Sequence, residues 1–292
     1  MNALHLKISL ARSAGFCFGV KRAIALALDL AQKSRPHIFM LGDIVHNEEV
    51  VKKISLAGIK KIKRLKPCRD GILLVRAHGA ALATLKKAAS LGYRIADATC
   101  PMVKEIHRIV QAMEKQGRRV IVIGDKKHDE VLGIIGQLQS QALVIEADGP
   151  LPDRQASLPL AALKKIKKAG IVTQSTQNLH KVETIVARIK KLIPDADFVN
   201  TICRPTRLKQ EEIRKMPLTN DIMLIIGSRS SANTRRLYEI SRQLNRRTYW
   251  ISSKQELQKQ WFKGMTSAGI TAGASTPDET TQEVIETVKK LG

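Results

Sequence analysis

Apolar residues gather in short, nearly continuous runs, separated by longer stretches where they recur every three or four positions. The runs predict strands at His37–Leu41, Ile72–Arg76, Arg119–Ile123, Leu143–Ile145, Gly170–Thr173, Ile222–Ile226, Thr248–Ile251 and Ala268–Thr271. Most lack polar alternation, as in parallel strands covered on both faces. The segment MNALHLKISLARSAGFCFGV has a weak apolar run without the order of a secretory leader, and reads as the first strand of a cytoplasmic protein. The periodic stretches predict helices at Lys21–Gln32, Ala81–Leu91, Val103–Gln116, Leu179–Leu192, Arg235–Asn245 and Pro277–Leu291. The last has a start signal, with Thr276 as cap, Pro277 at the first helical position and Glu279 completing a capping box. Strands alternating with helices place the chain in the α/β class.

No low-complexity linker interrupts the pattern. Boundaries near Cys100 and Asn200 divide the chain into three α/β domains, 1–99, 100–199 and 200–292, the last ending in the C-terminal helix. Cysteines recur on a similar scale: 83 residues separate positions 17 and 100, and 103 separate 100 and 203. No residue-by-residue repeat accompanies them, so the repetition is architectural.

With 292 residues, 43% of them hydrophobic, the chain can bury an ample core. It has no charge-free apolar stretch long enough to span a membrane. Charge changes the picture more: 50 Lys and Arg against 26 Asp and Glu give +24. That excess points either to polyanions, nucleic acid among them, or to a solvated basic face. The basic residues are spread through helical stretches such as Lys164–Lys168 and Lys190–Lys191, and only 3% of residues are aromatic, a poor supply for base stacking. Nucleic-acid binding is therefore disfavoured as the main role.

Open parallel sheets bind ligands beyond the carboxyl ends of their strands. The segments there carry His46, His78 and His128, the hydroxyls of Ser175, Thr176 and Ser275, and the run from Gly227 to Thr234. One histidine after one strand is ordinarily structural. Three, with two serine clusters, offer donors suited to a phosphate or diphosphate. His5, His37, His107 and His180 lie within or beside regular elements and read as structural. No P-loop sequence occurs.

Cys17, Cys100 and Cys203 each precede a predicted helix, where the dipole and free amides favour thiolate. Cys68 reads as a surface loop residue without a role. The close cysteine pairs of a zinc site are absent. Three separated thiols are open to two readings: isolated structural cysteines, or joint ligands of an iron–sulfur cluster with one iron lacking a protein thiolate.

Together AGFCFGVKRAI, GDIVHNEEVV, RAHG, DATCP, HDEV, VTQST, NTIC, GSRSSANT and TAGAST resemble the LytB-type iron–sulfur family of 4-hydroxy-3-methylbut-2-enyl diphosphate reductases. They run in order from about residue 11 to 278, and AGFCFGV and DATCP are the specific ones. The resemblance implies a trefoil of three pseudo-equivalent α/β domains around a central 4Fe–4S cluster, with Cys17, Cys100 and Cys203 as its ligands. It implies that His46, His78, His128, Ser231, Asn233 and Ser275 hold the diphosphate. Glu130 matches the carboxylate of proton delivery, Ser175 a substrate-orienting hydroxyl usually supplied by threonine, and Thr206 a hydroxyl of the same cavity. The activity implied is the last step of the non-mevalonate isoprenoid pathway, with ferredoxin or flavodoxin as electron donor. The chain departs from the family at Asp129, where proline is usual, at Ala232, where serine is frequent, and at Arg204-Pro205. These departures make a cluster-containing relative with another substrate, or a redox sensor, the alternative reading; a zinc hydrolase is a further one.

Overall fold

The computed structural model describes residues 6–33, 37–147 and 158–291. The strands are β1 (Lys7–Leu10), β2 (Ile38–Leu41), β3 (Lys60–Ile62), β4 (Ile72–Val75), β5 (Arg94–Asp97) and β6 (Arg119–Ile123). They continue with β7 (Leu143–Ile145), β8 (Lys168–Thr173), β9 (Asp195–Phe198), β10 (Ile222–Ile226), β11 (Thr248–Ile251) and β12 (Ser267–Ala272). The helices are α1 (Phe18–Lys33), α2 (Glu48–Leu56), α3 (Leu82–Ser90), α4 (Pro101–Lys115) and α5 (Asp129–Ile135). After them come α6 (Leu160–Leu163), α7 (Leu179–Leu192), α8 (Arg204–Lys215), α9 (Ala232–Leu244) and α10 (Asp278–Leu291).

The strands form three four-stranded sheets with the orders β3-β2-β4-β5, β7-β6-β8-β9 and β11-β10-β12-β1. Every pairing is parallel. The chain is thus α/β with three pseudo-equivalent sheet modules. In the third module β1 takes the place that β5 and β9 hold in the others, pairing Lys7 with Ser267 and Leu10 with Ile270. This differs from the expected first domain of 1–99: Leu6, Ile8 and Ala14 pack against the core of β10, β12 and α10. Two compact units result. One comprises residues up to 21, 45–52 and those from 204 onward; the other comprises 22–44 and 53–203.

The unbroken apolar strands are covered on both faces, as their pattern requires. Along β6, Ile121 and Ile123 face a core with Val182 and Ile189 of α7, while Val120 and Val122 face Val110 of α4 and Ile134 of α5. Along β10, Ile222, Leu224 and Ile226 meet Val284 and Val288 of α10, whereas Met223 and Ile225 meet Leu237 and Ile240 of α9. Each such side chain contributes about 1.5–3 kcal/mol by leaving water.

β3, β5 and β9 had no signal in the apolar pattern, because KKI, RIAD and DADF are short, largely exposed edge strands. α2, α5 and α8 were also missed; α8 reads RPTRLKQEEIRK and shows little apolar periodicity. The Lys164–Lys168 stretch, expected to be helical, is not: α6 ends at Leu163, a turn follows, and Lys168 opens β8. α10 begins at Asp278, and the Thr276 hydroxyl, expected as its cap, instead donates to the Ile226 carbonyl at 3.1 Å. Cys68 is half-buried against the Leu73 and Tyr93 core rather than loose on the surface. His5 lies outside the described residues.

Candidate functional site

Each module repeats one local design at the carboxyl ends of its strands. A glycine follows the first strand (Gly42, Gly124, Gly227), and four residues on stand His46, His128 and Ser231. A helix then starts, its first amides held by a side chain as bare helix N-termini require. The cap is Asn47 for α2, its Oδ1 accepting from Val50 N–H at 3.0 Å. For α5 it is His128, whose Nδ1 accepts from Glu130 N–H at 3.1 Å. For α9 it is Ser231, whose hydroxyl oxygen accepts from Thr234 N–H at 3.3 Å.

The strand next to the outermost one ends in a second shared feature. The carbonyls of Ala77, Ser175 and Ala274, each two residues past β4, β8 and β12, accept from the N–H groups of Cys100, Cys203 and Cys17 at 3.0, 3.1 and 3.1 Å. The three cysteines directly precede α4, α8 and α1, and each is half-buried and in no disulfide. Outermost strand, cysteine and helix therefore recur three times; in the third copy β1, Cys17 and α1 come from the start of the chain, while the sheet that β1 completes is otherwise built from β10, β11 and β12. Undisulfided cysteines offer sulfur ligands, a donor set that suits the soft iron of an iron–sulfur cluster.

In the unit of residues 22–44 and 53–203, His78, His128, Glu130 and Ser175 come together. The His78 and His128 rings lie edge to face with centroids 5.5 Å apart. Because His128 Nδ1 accepts a hydrogen bond, the neutral ring carries its proton on Nε2 and presents a donor there. Glu130 is 2% exposed. Its carboxylate accepts from Ser175 N–H at 2.5 Å and from the Ser175 hydroxyl at 2.8 Å. Burial raises the Glu130 pKa above the ordinary carboxyl value; the two Ser175 bonds oppose this and Asp125 adds to it. Gln174, missed from sequence, is fully buried and fixes this turn: its Oε1 accepts from Asp125 N–H at 2.9 Å and its Nε2 donates to Thr176 at 3.0 Å. His107, which the sequence reads as structural, lies in α4. Burial lowers its pKa to about 4, against an opposing pull from Asp97.

The other unit holds Cys17, His46, Thr206, Ser231, Asn233 and Ser275. The Ser275 hydroxyl donates to the His46 carbonyl at 2.9 Å. Asn233 Oδ1 accepts from Ala274 N–H at 3.1 Å, while its buried Nδ2 has no partner among the described residues. Thr206, one turn into α8, is 2% exposed. On the same helix Lys209, also 2% exposed, donates to the carbonyls of Gly15 at 3.1 Å and Ala272 at 3.0 Å, and to that of Ser13. Glu212 accepts from the Arg12 and Ser13 amides, both at 2.9 Å. These two helix residues anchor the loop carrying Cys17, and a lysine in so polar a segment gives no sequence signal of burial. Pro205 sits in the first turn of α8, where a missing N–H is harmless.

The LytB protein family matches residues 8–289. The enzyme of Geobacter metallireducens named 4-hydroxy-3-methylbut-2-enyl diphosphate reductase is 37% identical over 98% of this chain and 98% of its own. The reductase of the same name from Aquifex aeolicus is 36% identical over 97% and 96%. A solved structure of (E)-4-hydroxy-3-methyl-but-2-enyl diphosphate reductase, described as the terminal enzyme of the non-mevalonate pathway, superposes with a TM-score of 0.69 at 36% identity, covering 98% of this chain and 99% of that one. The E-1-hydroxy-2-methyl-but-2-enyl-4-diphosphate reductase of Plasmodium falciparum gives 0.86 at 29% identity over 97% and 87%. Matched along nearly its whole length in sequence and in fold, the chain belongs to the LytB family.

Proposed function

We propose that this chain is a 4-hydroxy-3-methylbut-2-enyl diphosphate reductase. It removes the allylic hydroxyl of (E)-4-hydroxy-3-methylbut-2-enyl diphosphate with two electrons and two protons, releasing water and yielding isopentenyl and dimethylallyl diphosphate. The observation that carries the reading is Glu130: a buried carboxyl of raised pKa, two residues beyond His128 and bonded to a serine hydroxyl, in a chain of this family. Cys17, Cys100 and Cys203 would hold a 4Fe–4S cluster, which when bound supplies the electrons and a Lewis-acidic iron for the hydroxyl.

The remaining chemistry belongs to the chain's own side chains. His46, His78 and His128, with Ser231, Asn233 and Ser275, bind the diphosphate. The Nε2 donor of His128 and the unspent Nδ2 donor of Asn233 suit anionic oxygens. The resemblance to the family adds the Thr206 hydroxyl to this set. Fixing the diphosphate fixes the alcohol at the other end of a short substrate. Protonated Glu130 reverses its bond to Ser175, so that Oε2 donates to Ser175 Oγ and the serine hydroxyl passes a proton on to the substrate.

The electron donor is an acidic one-electron carrier, ferredoxin or flavodoxin, which a net charge of +24 would steer inward. The enzyme works in the cytoplasm; no helix among the described residues is long and apolar enough to cross a membrane. The test is anaerobic purification, iron and sulfide counting, and a reduced-viologen assay on the diphosphate alcohol. Brown protein yielding five-carbon diphosphates is expected, and Cys100→Ser should lose colour and turnover together. Brown protein inactive on this alcohol would point to another substrate or to redox sensing. Colourless protein would overturn the cluster.

A further inference from the structure

Asp129 stands between His128 and Glu130, at the first position of α5, where the family usually has proline. Its carboxylate pairs with the Arg76 guanidinium at 2.5 Å, with side chains 26% and 19% exposed. Arg76 is two residues before His78. It lies across Gly42, where any β-carbon would strike its guanidinium. The pair borders a hollow of about 190 Å³ whose other walls include Leu41, Val75 and Leu132. In surroundings this apolar an ion pair is less screened than on an open surface. The far end of α5 is tied separately: Leu82 N–H donates to the Gly136 carbonyl at 3.0 Å, and Gln137 Nε2 donates to that of Ala80 at 2.9 Å. The ion pair is thus the corresponding tie at the end of α5 that carries His128 and Glu130.

We infer that Arg76 and Asp129 are a positioning pair that sets the spacing of His78 and His128 for the diphosphate. The inference rests on the proposed substrate class. A proline at 129 would stiffen the helix start by its ring alone. Here a charge-assisted bond joins the start of α5 to the turn after β4 instead. Neither residue is assigned contact with the substrate; both act through the two histidines.

The test uses cluster-loaded Asp129→Asn, Arg76→Met, their double variant and the exchange Arg76→Asp with Asp129→Arg. KM and kcat for the diphosphate alcohol are measured, along with the dissociation constant of inorganic diphosphate. Each single variant should weaken both constants about fivefold, the scale of a coupled neighbour pair, with kcat within about twofold. The double variant should be no worse than either single, and the exchange should recover part of the loss. Unchanged KM and diphosphate affinity in Asp129→Asn would overturn the pair. So would tighter binding, which would mean that a released Arg76 contacts the anion itself. So would additive losses without rescue. If the wild type binds diphosphate with this coupling but does not reduce the alcohol, the proposed reaction fails and the positioning pair stands.

Discussion

The turn after β6 and the turn after β10 are built alike and serve different chemistry. In both, a glycine ends the strand, a cap follows four residues later, and the residue two beyond the cap is buried: Glu130 at 2% exposure, Asn233 at 4%. The backbone solution is common because a parallel strand entering a helix needs a tight turn and a capped N-terminus. The side chain at the shared position decides what the turn can do. A buried carboxyl is costly to ionise and so holds a proton. An amide in the same place can only donate and accept hydrogen bonds. The scaffold was repeated, and the chemistry was written into one position of it.

The strongest way to break this comparison is Glu130→Gln, which makes the two turns alike. Turnover should fall by about 10² or more, the scale of a positioned proton donor, with the cluster retained. Wild-type turnover should decline as pH rises through the raised Glu130 pKa, since the donor is then deprotonated, and that limb should vanish in the variant. Stability carries the matching sign. A carboxyl with a raised folded-state pKa stabilises the fold on the acid side and loses that contribution as pH rises through the folded value. The melting temperature of Glu130→Gln relative to wild type should therefore climb with pH from the ordinary carboxyl range upward; a flat difference would contradict the raised pKa.

The shared scaffold is tested by Gly124→Ala and Gly227→Ala. A β-carbon at Gly124 would come within 2.8 Å of Gln174 and Val131; at Gly227 it would come within 2.7 Å of the Thr234 and Thr276 hydroxyls. Each should cost about 1–3 kcal/mol of stability, as overpacking does, measured by denaturant unfolding. Gly227 should be the worse, because its φ of 150° disfavours any β-carbon. A cost at only one would show the turns to be less equivalent than their geometry. The smallest effect is expected from Asn233→Ala: KM should rise about fivefold for one lost hydrogen-bond donor. Its pH profile should match wild type, in contrast to Glu130→Gln.

Much of this was legible along the chain. The apolar runs marked β2, β4, β6, β7, β8, β10, β11 and β12 within a residue or two, because buried parallel strands cannot carry polar residues on either face. The outermost strands leading to Cys100 and Cys203 were not legible: RIAD and DADF are mostly solvated and need no apolar pattern. Lys209 and Gln174 were equally hidden, since a polar residue is recognised as buried only once the carbonyls and amides that satisfy it are known. Asp129 could be seen as a departure; its partner Arg76, 53 positions earlier, could not.

Residue chemistry and order alone determined the α/β class, the strand-end histidines and serines, the three cysteines before helices and the family. These are local properties, set by periodicity and by which groups can donate, accept or bind metal. Tertiary structure decided what depends on groups far apart in the chain. It brought β1 to β12 to complete the third module, buried Glu130 so that its pKa rises, and paired Arg76 with Asp129. Burial and long-range contact fix the energy of a charge, and neither is written in the neighbourhood of the residue that carries it.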